Sequence, residues 1–163
     1  MAILGLYTDG ACSNNEKGKG TGGFAVVCEG AGGDIGCLVA EHHEGTTNNR
    51  MEFMAIIAAI ELAKEFLYSE EDILGYDTVE IYSDSNYCVQ TITNWMYSWE
   101  RKGWRKSDKK APENLDLVKQ AHSLMSFEKN IIIKKVKGHS GDALNEFADK
   151  CAVCAKKGEI TCL

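Results

Sequence analysis

What most constrains this chain is a change of hydrophobic period near residue 48. Ahead of it lie three segments rich in β-branched and aromatic residues: ILGLYTDG, GFAVVCEG and IGCLVAEHH. Asp9 and Gly10 close the first, a glycine-rich stretch separates it from the second, and the turn at 31–34 divides the second from the third. Runs bounded in this way read as strands, and three in succession read as an antiparallel meander. From residue 49 to 68, apolar residues instead fall three and four apart, through Met51, Met54 and Ile57 and through Phe53, Ile56, Ile60, Ala63 and Leu67. That spacing belongs to a helix, and its broad apolar circumference predicts that it is largely buried. Asn48 is the expected N-cap, with Glu52 near the helix start, where the dipole favours an acid.

Elements then alternate. TVEIYS is a fourth strand, 85–97 a helix, and 113–126 another helix after the sole proline, Pro112. NIIIKKVKG is a fifth strand and 142–157 a closing helix. Strands joined to later strands through helices imply parallel crossovers. The expected class is therefore α/β, one domain over 1–163, with a mixed sheet flanked by helices: three antiparallel strands, then crossover strands.

At 163 residues, 44 % apolar and 26 % charged, the chain is long enough for a sizeable core. No apolar run approaches the roughly 20 residues that cross a bilayer, and no basic segment precedes an apolar one at the start. A cytoplasmic location is expected. The cysteines (Cys12, Cys28, Cys37, Cys88, Cys151, Cys154, Cys162) are odd in number and scattered. In a reducing compartment they are expected to pack as small apolar side chains. Cys151 and Cys154 have no second pair at zinc-finger spacing and continue the helix face of Leu144 and Phe147, which favours core packing over zinc.

The net charge of −6 is unevenly spread. Residues 100–110, ERKGWRKSDKK, hold six Lys or Arg against Glu100 and Asp108, a local +4, which leaves −10 for the remainder. A single basic segment on an acidic body can hold a polyanion in a fixed orientation, whereas indiscriminate coating of nucleic acid is excluded.

Four carboxylates stand out. Asp9 ends the first strand, Asp84 ends the fourth, Glu52 lies about one turn into the long helix, and Asp149 lies one turn after Asn145 in the last helix. Strand ends of an open α/β sheet are where sites form. Taken singly, each acid could cap a turn or face water. Convergent acids repel unless cations neutralise them, and hard oxygen ligands favour Mg²⁺ or Mn²⁺.

The words around these acids are TDGAC, TTNNRMEF, SDSNY, TNWMYSWERKGWRKSDKK and KVKGHSGDALNEFAD. In this order, spanning nearly the whole chain, they resemble the signature segments of bacterial-type ribonuclease H type 1. The resemblance implies the ribonuclease H fold, and hydrolysis of the RNA strand of RNA–DNA hybrids with two divalent ions, giving 5′-phosphate and 3′-hydroxyl ends. It implies that Asp9, Glu52, Asp84 and Asp149 form the metal-binding quartet. His139, in a glycine-flanked loop, would assist catalysis or product departure. Asn15, Asn48, Asn49, Asn86 and Asn145 would touch the nucleic acid. The loop SNNEKGKG departs from the family's commoner glycine–asparagine–proline wording, which leaves the contacts of Asn15 open.

The stretch 95–110 resembles the basic protrusion that grips the DNA strand, with Trp95, Arg101, Lys102, Arg105 and Lys106 as contacts. Trp99 and Trp104 serve either packing or a sugar contact. A monomer with an internal protrusion needs no separate hybrid-binding domain. His42, His43 and His122 lack such context and are expected on the surface or in the core. Two rivals remain: another nuclease of the same superfold, of resolvase or integrase type, and a catalytically inactive hybrid-binding module. Neither shares the NNRME and KGHSG words with a complete set of acids.

Overall fold

A computed structural model describes residues 2–14, 19–30, 33–70, 75–136 and 142–159. Strands β1 (Ile3–Ser13), β2 (Gly20–Glu29) and β3 (Ile35–Thr46) form the antiparallel meander. β4 (Thr78–Ser83) runs parallel to β1, and β5 (Ile131–Lys135) parallel to β4. The sheet order is β3-β2-β1-β4-β5, the mixed five-stranded arrangement expected from the order of elements.

Helix α1 (Asn48–Tyr68) lies on one face of the sheet. Its Phe53, Ile56 and Ile60 are fully buried against Leu6, Val26, Val79 and Ile81. Burial of side chains of this size stabilises by roughly 1.5–3 kcal/mol each, which makes this the principal core. The N-cap is Thr47 rather than Asn48: Thr47 has the extended backbone a cap requires (φ −131°, ψ 165°), and its hydroxyl accepts from Arg50 N–H at 3.2 Å. Asn48 is the first helical residue.

The helix expected at 85–97 is longer and broken in period. α2 (Asn86–Gln90) passes through one π-helical turn (Thr91–Trp95) into α3 (Met96–Arg101). The Thr91 and Thr93 hydroxyls each donate to the carbonyl four residues back, Tyr87 and Val89, at 2.7 Å. Such back-bonding bends helices, and a π-turn is a common answer. α4 (Leu115–Met125) begins after Asn114, which has φ +55°.

α5 (Ala143–Lys156) covers the opposite face of the sheet over β1, β2 and β3. Asp142 caps it, accepting from Leu144 and Asn145 N–H. Alternation along β2 divides the two sides: Val26 faces α1, while Ala25 and Val27 pack with Ala148, Cys151 and Ala152 of α5. Gly23 lets the last turn of α5 lie on β2, since a Cβ there would fall 2.2 Å from Lys156 N. Cys151 is buried as a small apolar residue, as expected. Cys154 departs from that expectation. It is half-buried near the helix end and disulfide-bonded.

Candidate active site

The parallel pairing of β1 with β4 creates the site. The last paired residues are Tyr7 and Tyr82. Asp9 lies two residues beyond on β1, and Asp84 follows directly on the end of β4. Both carboxylates therefore emerge at the same end of the sheet. Glu52 descends from the second turn of α1, and the three groups can each offer an oxygen within 4.8 Å of the others. Asp149, on α5, is near enough to Asp9 to help raise its carboxyl, but lies outside the three groups whose oxygens approach within 4.8 Å. Three of the four acids singled out in the sequence thus share one cluster, with Asp149 beside Asp9.

Gly10 permits this approach. A Cβ at that position would lie 2.4 Å from Glu52 N and 2.5 Å from the Met51 carbonyl carbon. Instead, the Gly10 N–H donates to the Glu52 carboxylate. The glycine following the aspartate is therefore a packing requirement, because α1 rests on bare backbone.

The electrostatics follow from burial. Asp9 is 4 % exposed and Glu52 6 %. Burial pushes the Asp9 carboxyl up to about 8, reinforced by the charge of Asp84 and by Asp149, while a hydrogen bond with Glu52 acts the other way. Glu52 is raised well above the ordinary carboxyl range, first by burial and then by Asp9 and Asp84. Two buried acids this close cannot both ionise unless positive charge is supplied. Glu52 Oε2 is buried without a hydrogen-bond partner, an oxygen suited to a cation. An all-carboxylate donor set with such an oxygen fits a hard divalent ion.

The ribonuclease H family model matches residues 2–157. The chain belongs to the ribonuclease H family. The ribonuclease H of Treponema denticola is 38 % identical over 152 residues, covering 91 % of this chain and 93 % of that protein. LC9-RNase H1, whose crystal structure is described as a type 1 RNase H with the type 2 active-site motif, is 32 % identical with a TM-score of 0.71. That match covers 97 % of this chain and 74 % of LC9-RNase H1. The foamy viral protease-reverse transcriptase in complex with RNA/DNA hybrid shares the fold at 17 % identity (TM-score 0.71), covering 95 % of this chain and 20 % of that one. Membership makes this chain a nuclease of the hydrolase class.

The remaining candidates fall into groups. Asn48 and exposed Asn49 open α1, and exposed Asn86 opens α2, both helices that begin beside the carboxylates. Asn145 is 4 % exposed, one turn from Asp149, with its Oδ1 unpartnered. Asn15 and His139 lie outside the described residues.

On the protrusion, Arg101, Lys102 and Arg105 are exposed, and Lys106 is half-buried 3.8 Å from Asp108. The choice left open for two tryptophans resolves toward packing: Trp99 and Trp104 rest against the main core. Trp104 meets the His122 ring edge-on at 5.2 Å, and Lys119 lies 5.7 Å above it. Trp95 is 38 % exposed, its ring 6.2 Å from that of Trp99 and tilted 40° to it.

Two residues beside the site carried no role in the sequence reading. The Arg50 guanidinium donates to both Asp116 oxygens at 3.0 and 2.8 Å and to Asn114 Oδ1 at 3.3 Å. It ties the start of α1 to the point where the protrusion returns to the body, and its hydrogen bonds, aided by its charge, hold the Asp116 carboxyl below its usual range. Cys88 lies near Glu52 and Asp84, and burial pushes its thiol up to about 12, so it stays neutral. Arg50 stands inside the NNRME word, but a partner 66 residues away leaves no local signal.

Proposed function

We propose that the chain is an endonuclease that hydrolyses the RNA strand of RNA–DNA hybrids with two divalent ions, leaving 5′-phosphate and 3′-hydroxyl ends. The observation that carries this reading is the cluster of Asp9, Glu52 and Asp84, with Asp149 joined to it through Asp9. These four residues would hold two Mg²⁺ ions, for which Mn²⁺ can substitute. Bound there, the ions lower the pKa of an attacking water and stabilise the departing 3′ oxygen.

The chain's own groups supply position and charge. Asp9 and Glu52, whose burial and closeness disfavour both being ionised at once, become anionic donors together once cations offset their mutual repulsion. Asn15, Asn48, Asn49, Asn86 and Asn145 provide the short polar groups that read 2′-hydroxyls across a wide minor groove. Arg101, Lys102, Arg105 and Lys106 contact phosphates of the DNA strand, and Trp95 lies against it. His139, with an unperturbed pKa near 6.5 for its residue type, would accept or deliver a proton as product leaves. One catalytic domain over 1–163, acting as a cytoplasmic monomer, accounts for all of these parts. That a protein of the same fold was solved in complex with RNA/DNA hybrid supports the choice of substrate.

The test is cleavage of four labelled substrates in Mg²⁺: RNA–DNA hybrid, duplex RNA, duplex DNA and a four-way DNA junction. Only the hybrid should be cut, and only in its RNA strand. Cutting of the junction would favour a resolvase. Hybrid binding without cleavage would favour an inactive module.

A further inference from the structure

α5 packs over β1, β2 and β3, and among the described residues its main contacts do not extend to β4. Between α5 and strands β1 and β4 lies an open cavity of about 380 Å³. None of the four clustered carboxylates lines it. Tyr7, Tyr76, Tyr82 and Leu144 form its walls, and Glu29 and Glu80 stand in its lining. The Tyr7 and Tyr82 rings stack with centroids 4.6 Å apart and planes 15° from parallel. The Tyr82 hydroxyl donates to Glu80, which orients that carboxylate along the aromatic wall.

Charge here is one-sided. After burial, the influences that raise the Tyr7 hydroxyl pKa are Asp142, Glu80 and Glu29, so three carboxylates act on one ring. Lys134, itself 45 % exposed, offsets one of them, meeting Glu80 at 3.0 Å. Aromatic faces carry negative electrostatic potential, and carboxylates beside them deepen it, a setting that favours an organic cation over a neutral or anionic ligand. The volume falls within the range of small-molecule sites. Glu29 and Glu80 stand in one lining, Glu80 already shared with Lys134 and the Tyr82 hydroxyl, so one ammonium of a diamine would meet Glu29 and the other would compete with Lys134 at Glu80.

We propose that this cavity is a binding site for an aliphatic polyamine, held by its ammonium groups against the stacked Tyr7 and Tyr82 rings and the carboxylates of Glu29 and Glu80. The ammonium groups lie on the aromatic faces and donate to the carboxylates, while the methylene stem lies along Tyr76 and Leu144. Asp142, which caps α5, is close enough to sense the bound charge, and α5 carries Asn145 and Asp149.

The experiment uses the full chain saturated with Mg²⁺, so that the four clustered acids do not compete, with ring-labelled tyrosine followed by NMR. The ligands are 1,4-diaminobutane, spermidine and the neutral isostere 1,4-butanediol, at constant ionic strength. The diamine and spermidine should shift the Tyr7, Tyr76 and Tyr82 signals saturably, and the diol should not. Glu29→Gln, at an exposed position, should weaken diamine affinity at least threefold while the protein melts as wild type does. Tyr76→Ser should weaken it as well, which tests the aromatic wall apart from the acid. Non-saturating shifts, equal shifts with the diol, or affinity unchanged by both substitutions would overturn the proposal.

Discussion

In protein held in EDTA, the substitution Asp9→Asn removes one of two buried carboxyls that cannot both ionise. An unfolded aspartate, with a pKa near 3.8, is ionised at pH 7, whereas folded Asp9, at about 8, keeps its proton. Folding at pH 7 therefore takes up a proton across roughly three pH units, at about 1.4 kcal/mol per unit, which sets an upper figure of about 4 kcal/mol. Glu52, Asp84 and Asp149 share the charge, and an amide loses part of the hydrogen bonding, so a net stabilisation of about 1–3 kcal/mol is expected. The sign follows from the raised folded pKa. Stability from protonated Asp9 is fully present below pH 3.8 and is lost as pH rises through about 8. The advantage of Asp9→Asn should thus grow from pH 5 to pH 7.5. For a chain of 163 residues, each kcal/mol moves Tm by roughly 2–4 °C. Thermal melts at both pH values, in EDTA and then in Mg²⁺, measure this directly, and Mg²⁺ should raise the wild-type Tm more than that of the variant. A variant that melts below wild type in EDTA at pH 7.5, or an advantage that does not shrink at pH 5, would refute the reasoning.

Neutralising Arg101, Lys102, Arg105 and Lys106 together should raise KM with little change in kcat and flatten the dependence of hybrid affinity on salt. An unchanged salt slope would mean that the protrusion does not touch nucleic acid. Trp99→Ala and Trp104→Ala should each lower stability by about 2 kcal/mol in denaturant titrations, because both side chains pack on the core. Trp95→Ala should stay within about 0.5 kcal/mol of wild type and raise KM instead, as befits its exposure. Gly10→Ala should cost about 1–3 kcal/mol and weaken Mg²⁺ affinity, because its Cβ displaces the backbone that carries Glu52. Calorimetry with Mg²⁺ would detect both effects.

The sheet and its helices were legible because their signals are local: β-prone residues in three successive segments, a clean three-and-four spacing in α1, and turn residues between them. Asp84 could be placed at a strand end for the same reason, whereas Asp9, expected to close the first strand, lies within β1, which stays paired with β2 as far as Ser13. The convergence of the two follows from the parallel pairing of β1 with β4, which stops at Tyr7 and Tyr82. The N-cap was misplaced by one residue because Thr47 and Asn48 are both competent caps, and only the backbone angles decide between them. The π-turn depends on hydroxyl-to-carbonyl bonds of Thr91 and Thr93, which periodicity does not encode. Likewise, the Arg50–Asp116 clamp and the packing of Trp99 and Trp104 join residues distant in sequence.

The central claim is that the carboxylate cluster does chemistry through bound cations, and a single-turnover experiment on Asp9→Asn tests it most directly. The labelled RNA strand of a hybrid is followed at fixed Mg²⁺, with hybrid affinity measured alongside. The account predicts that the cleavage rate falls more than about a hundredfold, roughly 3 kcal/mol of transition-state stabilisation. It also predicts that hybrid affinity changes by less than about threefold, since phosphate contacts on the protrusion supply binding. A cleavage rate within about tenfold of wild type, or wild-type cleavage that persists in EDTA, would contradict it.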